Sequence, residues 1–322
     1  MKTVVSLIVL TLVYVMAFSS EAEKTYAERL GWGPEDRVLI IHCDDGGMSH
    51  ASNMGAIEAL EYGLVTSVSA MMPCSWVSEF AEYVKKHPAT DVGIHLTFTS
   101  EWYGYRWGPV AGKPAVPGLA DEQGCLWDNV GLVVKNATPD EIETEIRAQI
   151  DRAETMGLPI THLDSHMGTL FFNPAFFERY VTVGIEKQIP ILIASPKGLE
   201  RELGPRAKLL GDMVERVWKA GLPVIDFIHT ASYDWKTTEK IPRYIEAIRN
   251  LKPGITEMII HCTKPDDVIG VITNKRDHLY GDYYAMISPD VKKVIEEEGV
   301  ILTTWRELKE RRGRVKLNKA GD

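Results

Sequence analysis

The chain has 322 residues, of which 45% are hydrophobic and 25% charged. This composition is typical of a folded domain and excludes the disordered, collagen-like and coiled-coil classes. The formal net charge of −9 argues against a nucleic-acid partner, because that affinity comes largely from lysine and arginine side chains that neutralise phosphates.

The N-terminus has the pattern of a secretory signal peptide. Lys2 precedes an apolar run over 4–18, and the small residues Ser19 and Ala22 follow it. A membrane anchor is the alternative, but a spanning helix needs about 20 apolar residues. We therefore expect a secreted or periplasmic protein with no stable membrane insertion after cleavage. The predicted organisation is a signal peptide, a lead-in, one folded domain and a basic tail, over 1–22, 23–36, 37–310 and 311–322.

Short β-branched runs alternate with longer amphipathic segments, which is typical of βα units and a parallel sheet. A capping box over 138–141 starts one helix, which Gly157 ends, and Pro174 and Pro289 open two more. The predicted strands are 38–43, 65–72, 91–97, 160–164, 190–194, 224–228, 257–261 and 300–304. No linker divides them. The fold prediction is therefore a single TIM-like α/β barrel, regular or distorted, of seven to eight parallel strands. An open doubly wound sheet is the alternative.

Polar side chains lie at the ends of several predicted strands. Asp44 and Asp45 follow the first strand, His95 lies in the third, His166 follows the fourth and His261 ends the seventh. The carboxyl ends of parallel strands meet at one face of a barrel, where active sites are built. We therefore expect these side chains to lie close together.

One carboxylate and two imidazoles are a sufficient ligand set for a catalytic divalent cation. Consecutive side chains of an extended segment point apart, so Asp44 and Asp45 can serve different tasks. The alternative for 44–47 is a plain turn with a helix cap, and the alternative for His95 is a structural histidine. The coincidence of such residues at three strand ends favours a site.

The chain has four cysteines, and two of them are close to predicted site residues. Cys43 and Cys262 each adjoin a predicted catalytic residue, the compartment permits a disulfide, and the sequence leaves their bonding open. No C-x-x-C spacing supports a cysteine-based zinc site.

Several motifs occur together in this chain. They are Asp44-Asp45-Gly46, Asn53-Met54-Gly55, Gly63-Leu64-Val65-Thr66-Ser67, Val92-Gly93-Ile94-His95-Leu96-Thr97, Thr161-His162-Leu163-Asp164-Ser165-His166, and Gly254-Ile255-Thr256-Glu257 followed by His261. In this order and at these spacings, the motifs resemble the YdjC-like carbohydrate deacetylases. The resemblance covers about residues 37–308.

The resemblance implies a distorted TIM-like barrel, one divalent metal ion and hydrolysis of the N-acetyl group of an amino sugar, as in chitooligosaccharides. Carried over by position, Asp45, His95 and His166 match the metal ligands and Asp44 the general base. His261 matches the acid that protonates the leaving amine. The ion is expected to be Mg²⁺ or Zn²⁺.

The chain also departs from the family pattern around the site. Gly46 stands where an aromatic residue is common, Gly168 replaces a second histidine, and Cys262 follows His261 in place of proline. An arginine expected after the fifth strand is not evident. We therefore expect the metal ligands to be retained and the substrate contacts to differ.

Further predictions concern the surroundings of the site. Asp164 is expected to orient a neighbouring imidazole, since metal-binding histidines usually donate their second ring N–H to a carboxylate; a polar strand end with no role is the alternative. In the long insertion after His95, Trp102, Tyr105 and Trp107 are predicted to bind sugar rings, or else to anchor the loop as a small core.

The expected function is a secreted, metal-dependent carbohydrate N-deacetylase with a small carbohydrate substrate. An O-acyl esterase that uses the same machinery and a non-catalytic carbohydrate-binding barrel are the alternatives. A monomer and a homodimer are both compatible with the sequence.

Overall fold

The computed structural model describes residues 24–315, so the predicted signal peptide lies outside the described residues. Within this range the chain has an α/β fold built on one parallel sheet. The strands are β1 Arg37–Gly46, β2 Ser67–Ala70, β3 Val92–Leu96, β4 Ile160–Ser165, β5 Phe227–His229, β6 Gly254–Ile260 and β7 Ile301–Leu302. The helices are α1 Tyr26–Arg29, α2 His50–Glu61, α3 Val77–Lys86, α4 Val130–Asn136, α5 Pro139–Thr155, α6 Pro174–Lys187, α7 Pro196–Leu203, α8 Gly211–Lys219, α9 Lys240–Arg249, α10 Ile269–Ile272, α11 Arg276–Met286, α12 Pro289–Glu297 and α13 Trp305–Arg314.

Strand β1 is the centre of the sheet. The strand order is β4-β3-β2-β1-β6-β5, and β7 adds a short pairing to β1. Every residue of β1 from Val38 to Gly46 is buried, as expected for a parallel strand that is covered on both faces. The residues that follow its apolar run are therefore placed deep in the molecule.

The sheet curls, but the predicted TIM-like barrel is not confirmed. Strands β4 and β5 end the strand order, and the predicted strand over 190–194 lies between them. This segment forms only isolated bridges, one from Ile191 to Leu163 and one from Ala194 to Ile225. It exchanges only a few backbone hydrogen bonds with each neighbour, too few for a continuous ladder on either side.

The predicted helix starts are confirmed. Thr138 and Glu141 form the reciprocal capping box at the start of α5, and Pro139 occupies the first turn. Gly157, just past the helix end, has a left-handed φ of 75°, as is common for a glycine after a helix. Pro174 and Pro289 likewise lie in the first turns of α6 and α12. Among residues 24–315 no helix is long and apolar enough to cross a membrane.

The start of the predicted basic tail belongs to the last helix. Helix α13 continues through Arg314, and Arg312 is buried. The Arg312 guanidinium lies 4.0 Å from the centroid of the Trp218 ring and donates to the Trp218 carbonyl. These contacts fix the end of the described chain on the body of the domain.

Cys43 and Cys262 are neighbours, but both are free thiols. The Cys262 backbone N–H donates to Cys43 Sγ over 3.3 Å. Both residues are buried, and they join β1 to the segment that follows β6. The sequence left open whether Cys43 and Cys262 are bonded. In this structure they are joined by a hydrogen bond and not by a disulfide.

Candidate active site

A break in the β1–β2 register places the two aspartates. The pairing shifts between Cys43 and Gly46, and Asp45 adopts a left-handed φ of 65°, which a non-glycine residue takes up rarely and at a cost. Such an irregularity re-aims side chains. As a result, Asp45 approaches His95 and His166, while Asp44 faces His42 and His261.

Asp45, His95 and His166 converge on one point. Asp45 Oδ1 lies 3.4 Å from His95 Nε2 and 3.3 Å from His166 Nδ1, and these two nitrogens are 3.1 Å apart. Ligand atoms around tetrahedral zinc or octahedral magnesium are separated by about 3.0–3.4 Å, given the usual metal–ligand distances. Asp45 Oδ1 is buried and has no hydrogen-bond partner among the described residues. The donor set and its spacing therefore fit a divalent cation.

Two carboxylates orient the imidazoles of this cluster. His95 Nδ1 lies 2.6 Å from Asp164 Oδ1, and His166 Nε2 lies 2.8 Å from Glu101 Oε1. If each of these nitrogens carries the proton and donates, the opposite nitrogen keeps its lone pair toward Asp45. The structure thus places Asp164 where an orienting carboxylate was predicted, and it adds Glu101 as a second one.

The cluster is strongly coupled electrostatically. Burial alone would raise the pKa of Asp45, but His166, His261 and His95 outweigh it and hold that pKa below its usual range. Burial would lower the pKa of His166, yet Glu101 and Asp45 raise it overall. These opposing charges stabilise the ionised carboxylates inside the protein.

Asp44 is held by one oxygen. Its Oδ1 accepts from Ser69 Oγ at 3.3 Å and lies 3.1 Å from His42 Nε2, while Oδ2 faces His261 Nε2 at 3.7 Å. His42 also lies 2.9 Å from Asp164 Oδ2, so one imidazole links Asp44 to the carboxylate that orients His95.

A buried acid lies near this link. Glu257 of β6 is fully buried, and burial raises its pKa to about 8. Burial would lower the pKa of His42, but Glu257, Asp164 and Asp44 raise it overall. The residues near Asp44 therefore include an imidazole that favours its protonated form and a carboxyl group that favours its neutral form.

His261 lies on the other side of Asp44. Its Nε2 is 2.5 Å from the hydroxyl of Tyr233, and its backbone N–H donates to Asp282 Oδ2 over 3.0 Å. His261 Nδ1 lies 4.0 Å from the same carboxylate oxygen. His261 is thus placed to exchange a proton with a group bound between it and Asp44.

The buried side chain of Lys240 contacts residues that lie beside His261. Lys240 Nζ lies 2.5 Å from Asp282 Oδ1 and 2.7 Å from His278 Nδ1, and the Tyr244 hydroxyl donates to the same Asp282 oxygen over 2.5 Å. Burial lowers the pKa of His278 to about 4. His261, His278 and Asp282 are close enough to resemble a metal site, but the Lys240 ammonium already balances the carboxylate.

A cavity of about 370 Å³ opens beside these groups, with Asp44, Ser165 and Tyr233 in its wall. A larger cavity of about 800 Å³ lies between α1 and the region around α7 and α8. Its lining contains none of the predicted ligand or catalytic residues. The smaller cavity is therefore the one that the site chemistry can use.

Two of the predicted sugar-binding aromatic residues bond within their loop, and the third bonds to the segment after β1. Trp102 and Trp107 are buried, and their indole N–H groups donate to Glu101 Oε1 and to the Thr99 carbonyl. The Tyr105 hydroxyl donates to the Met48 carbonyl over 2.6 Å. The three residues do not line the cavity beside Asp44. These contacts support the alternative of a small loop core, and contact with sugar stays a prediction.

Four residues of the site were not predicted from the sequence: Glu101, Tyr233, Lys240 and Asp282. Glu101 lies in an irregular loop and Tyr233 in a short 3-10 helix, where no periodic pattern reveals a side-chain direction. One signal was available. Asp282 follows His278 by four positions, which places the two on one face of α11.

Comparison with known proteins shows the family of this chain. The chain is 32% identical over 283 residues to the carbohydrate deacetylase of Thermus thermophilus, covering 88% of this chain and 97% of that one. It is 35% identical over 275 residues to the carbohydrate deacetylase of Geobacillus stearothermophilus, covering 84% and 98%. The crystal structure of a candidate cellobiose-phosphate cleavage protein from Enterococcus faecalis V583 shares the fold, with a TM-score of 0.72 at 24% identity over 85% of this chain and 99% of that one. The family model of YdjC-like proteins matches residues 38–297, and the chain belongs to this family.

Proposed function

We propose that this protein is a cation-dependent carbohydrate N-deacetylase that hydrolyses the N-acetyl group of an amino sugar to acetate and a free amine. One observation carries the proposal: the side chains of Asp45, His95 and His166 converge within 3.1–3.4 Å, directly beside the facing pair Asp44 and His261. The names of the relatives from Thermus and Geobacillus support the same reaction and substrate class.

The cation would be held by Asp45, His95 and His166. When bound, a divalent cation supplies polarisation of the amide carbonyl and lowers the pKa of water. Mg²⁺ and Zn²⁺ both suit this donor set, because imidazole favours zinc and carboxylate accepts either. Asp164 and Glu101 position the two imidazoles by forming hydrogen bonds with their second ring nitrogens.

Asp44 is the general base of the proposed reaction. Its Oδ1 is held by Ser69 and His42, which leaves Oδ2 to accept a proton from the attacking water. Water adds to the acyl carbon as this proton moves to Asp44. A positioned base of this kind is worth about 10²–10⁴-fold in rate.

His261 is the general acid. It donates a proton to the amide nitrogen as the C–N bond breaks, so that the sugar leaves as a neutral amine. The Tyr233 hydroxyl lies within hydrogen-bond distance of the same nitrogen, His261 Nε2, so the amide nitrogen of the substrate has to replace this hydroxyl as the partner of His261.

Secretion belongs to the same proposal. The pattern over 1–22 motivates it, and we expect the mature N-terminus after Ser19 or Ala22. N-terminal sequencing of protein recovered from the culture medium or periplasm tests this point, and protein that retains Met1 would contradict it.

The reaction is tested by acetate release from N-acetylglucosamine oligomers, N-acetylgalactosamine glycans and O-acetylated sugars. Chelator-treated protein receives Mg²⁺ or Zn²⁺ separately, with Asp45→Asn as the negative control. Cation-restored release from N-acetyl sugars is the expected result. Release from O-acetylated sugars alone would replace the proposal by an esterase, and sugar binding without release would replace it by a binding protein.

A further inference from the structure

The wall of the cavity beside Asp44 is mainly apolar. Among the residues that the structure describes, Asp44 is the one charged side chain in its wall, and Ser165, Thr230 and Tyr233 contribute hydroxyl groups. The rest of the lining is aliphatic or aromatic, including Leu192. A sugar ring carries several hydroxyl groups, and each costs free energy when buried without a hydrogen-bond partner. This lining favours a hydrocarbon group.

Large apolar side chains are exposed at the cavity wall. Met167, Phe172 and Tyr233 are 49%, 48% and 46% exposed, and all three line the same cavity. Clustered exposed apolar side chains indicate a binding surface, whereas scattered ones do not. The exposed apolar surface is therefore continuous with the interior of the cavity.

The backbone at Met167 supports a binding role. Met167 and Gly168 have left-handed φ values of 52° and 60°, directly after the ligand residue His166. Methionine pays a steric cost in this conformation that glycine and asparagine largely avoid. Residues held in such strained conformations cluster at ligand-binding sites, and methionine's flexible side chain adapts to apolar ligands.

The cavity is too large for an acetyl group alone. A methyl group is similar in size to a water molecule, which takes up about 30 Å³, whereas the cavity holds about 370 Å³. The wall includes Asp44, which activates water against the acyl carbon. The acyl chain is bonded directly to that carbon, while the sugar is one atom further away across the nitrogen.

We propose that the preferred substrate is an amino sugar whose N-acyl chain is several carbons longer than acetyl, with the chain filling this cavity. The inference rests on the proposed function and deepens it. Water adds to the acyl carbon and gives its proton to Asp44, the C–N bond breaks, and His261 protonates the nitrogen. The products are a fatty carboxylate and a free amino sugar, and N-acetyl sugars are the shortest substrates of the series.

The test is a series of N-acyl glucosamines with acetyl, butanoyl, hexanoyl and octanoyl chains, assayed by release of the free amine. Burial of each methylene is expected to raise kcat/KM about three- to fourfold until the cavity is full. A second arm compares the methyl and octyl glycosides of N-acetylglucosamine.

The outcomes separate the two proposals. Amine release that does not increase with acyl length would overturn this inference and leave the proposed function standing. No amine release from any N-acyl sugar would contradict the proposed function. An increase with the octyl glycoside alone would place the apolar group on the sugar and overturn the acyl assignment.

A matched pair of variants tests the cavity wall. Met167→Asn keeps a residue that tolerates the left-handed conformation but replaces apolar lining by an amide. It should lower the ratio of octanoyl to acetyl kcat/KM about fivefold, as expected for a side chain that becomes only partly buried. Tyr62→Asn changes an exposed residue at the end of α2 and should leave the ratio unchanged. An unchanged ratio in Met167→Asn would overturn the inference.

Discussion

The active site has two halves that use the same residue types for different tasks. In the cation half, which we define as Asp45, His95, His166, Asp164 and Glu101, the two imidazoles each contact an orienting carboxylate and direct their other nitrogen toward Asp45. In the acid half, which we define as His261, Tyr233, Asp282 and Lys240, the carboxylate is already balanced by a lysine 2.5 Å away.

The difference lies in where the positive charge comes from. We propose that the cation half takes its positive charge from a bound cation, which Asp45, His95 and His166 would hold. The acid half contains its own ammonium group, so its carboxylate has little to offer a metal ion. Proximity of histidine and aspartate is therefore not enough to assign a metal site. Because Lys240 already balances Asp282, we propose that the acid half handles a proton.

The largest expected effect is loss of acid–base catalysis. Asp44→Asn and His261→Asn should each slow turnover about 10²–10⁴-fold, because one removes the proton acceptor and the other the proton donor. Steady-state assays on the N-acyl sugars measure this effect. Both variants should still bind the cation. Loss of cation binding in His261→Asn would contradict the division of the site into a cation half and an acid half.

The acid half should be the more sensitive one in stability. Lys240→Met leaves the buried Asp282 without its cation, and loss of one partner of a buried ion pair costs about 3–5 kcal/mol of unfolding free energy. Urea unfolding followed by circular dichroism measures it. Lys264→Met, which removes a surface pair with Glu58, should cost less than about 1 kcal/mol. Equal costs for the two variants would contradict the role of Lys240.

The cation half should be the more sensitive one in metal affinity. Glu101→Gln weakens the partner that orients His166, and loss of such a contact typically lowers metal affinity about 10–100-fold. Competition against a chromophoric chelator measures the affinity. Glu61→Gln, beside His87 on the surface, is the matched control and should change nothing. An unaltered affinity in Glu101→Gln would remove Glu101 from the site.

The smallest effect concerns the loop that carries Glu101. Glu145 accepts from the backbone N–H groups of Val110 and Ala111, and burial raises its pKa from 4.5 to about 6. Because the folded state favours protonated Glu145, the unfolding free energy should decrease by about 2 kcal/mol as pH rises from about 4.5 through 6. Glu145→Gln should lack this component, while Glu154→Gln on the same helix should retain it. A pH profile that is identical in all three proteins would refute this assignment.

The sequence predicted the elements and the strand ends that form the core of the site. Asp45 follows the buried apolar run of β1 and His166 directly follows β4, and parallel topology brings the ends of these strands together. The register of β3 and β4 pairs His95 with Asp164, which is the proximity expected of an orienting carboxylate.

The remaining features depend on long-range packing. Glu101 reaches His166 from an irregular loop, and Lys240 reaches Asp282 from a neighbouring helix, so local periodicity reveals neither contact. The segment over 190–194 has the composition of a strand, but it divides its backbone hydrogen bonds between β4 and the residues before β5. Left-handed Met167 is also a tertiary feature, since methionine does not favour that conformation locally.

The most direct test of the account is the equilibrium binding of Zn²⁺ and Mg²⁺ to chelator-treated wild type, Asp45→Asn and His278→Asn. Each variant removes one member of a histidine–aspartate cluster, one from the cation half and one beside the acid half. We predict one bound ion per chain in the wild type and in His278→Asn, with binding lost in Asp45→Asn. Retention of the ion in Asp45→Asn together with its loss in His278→Asn would contradict the central claim.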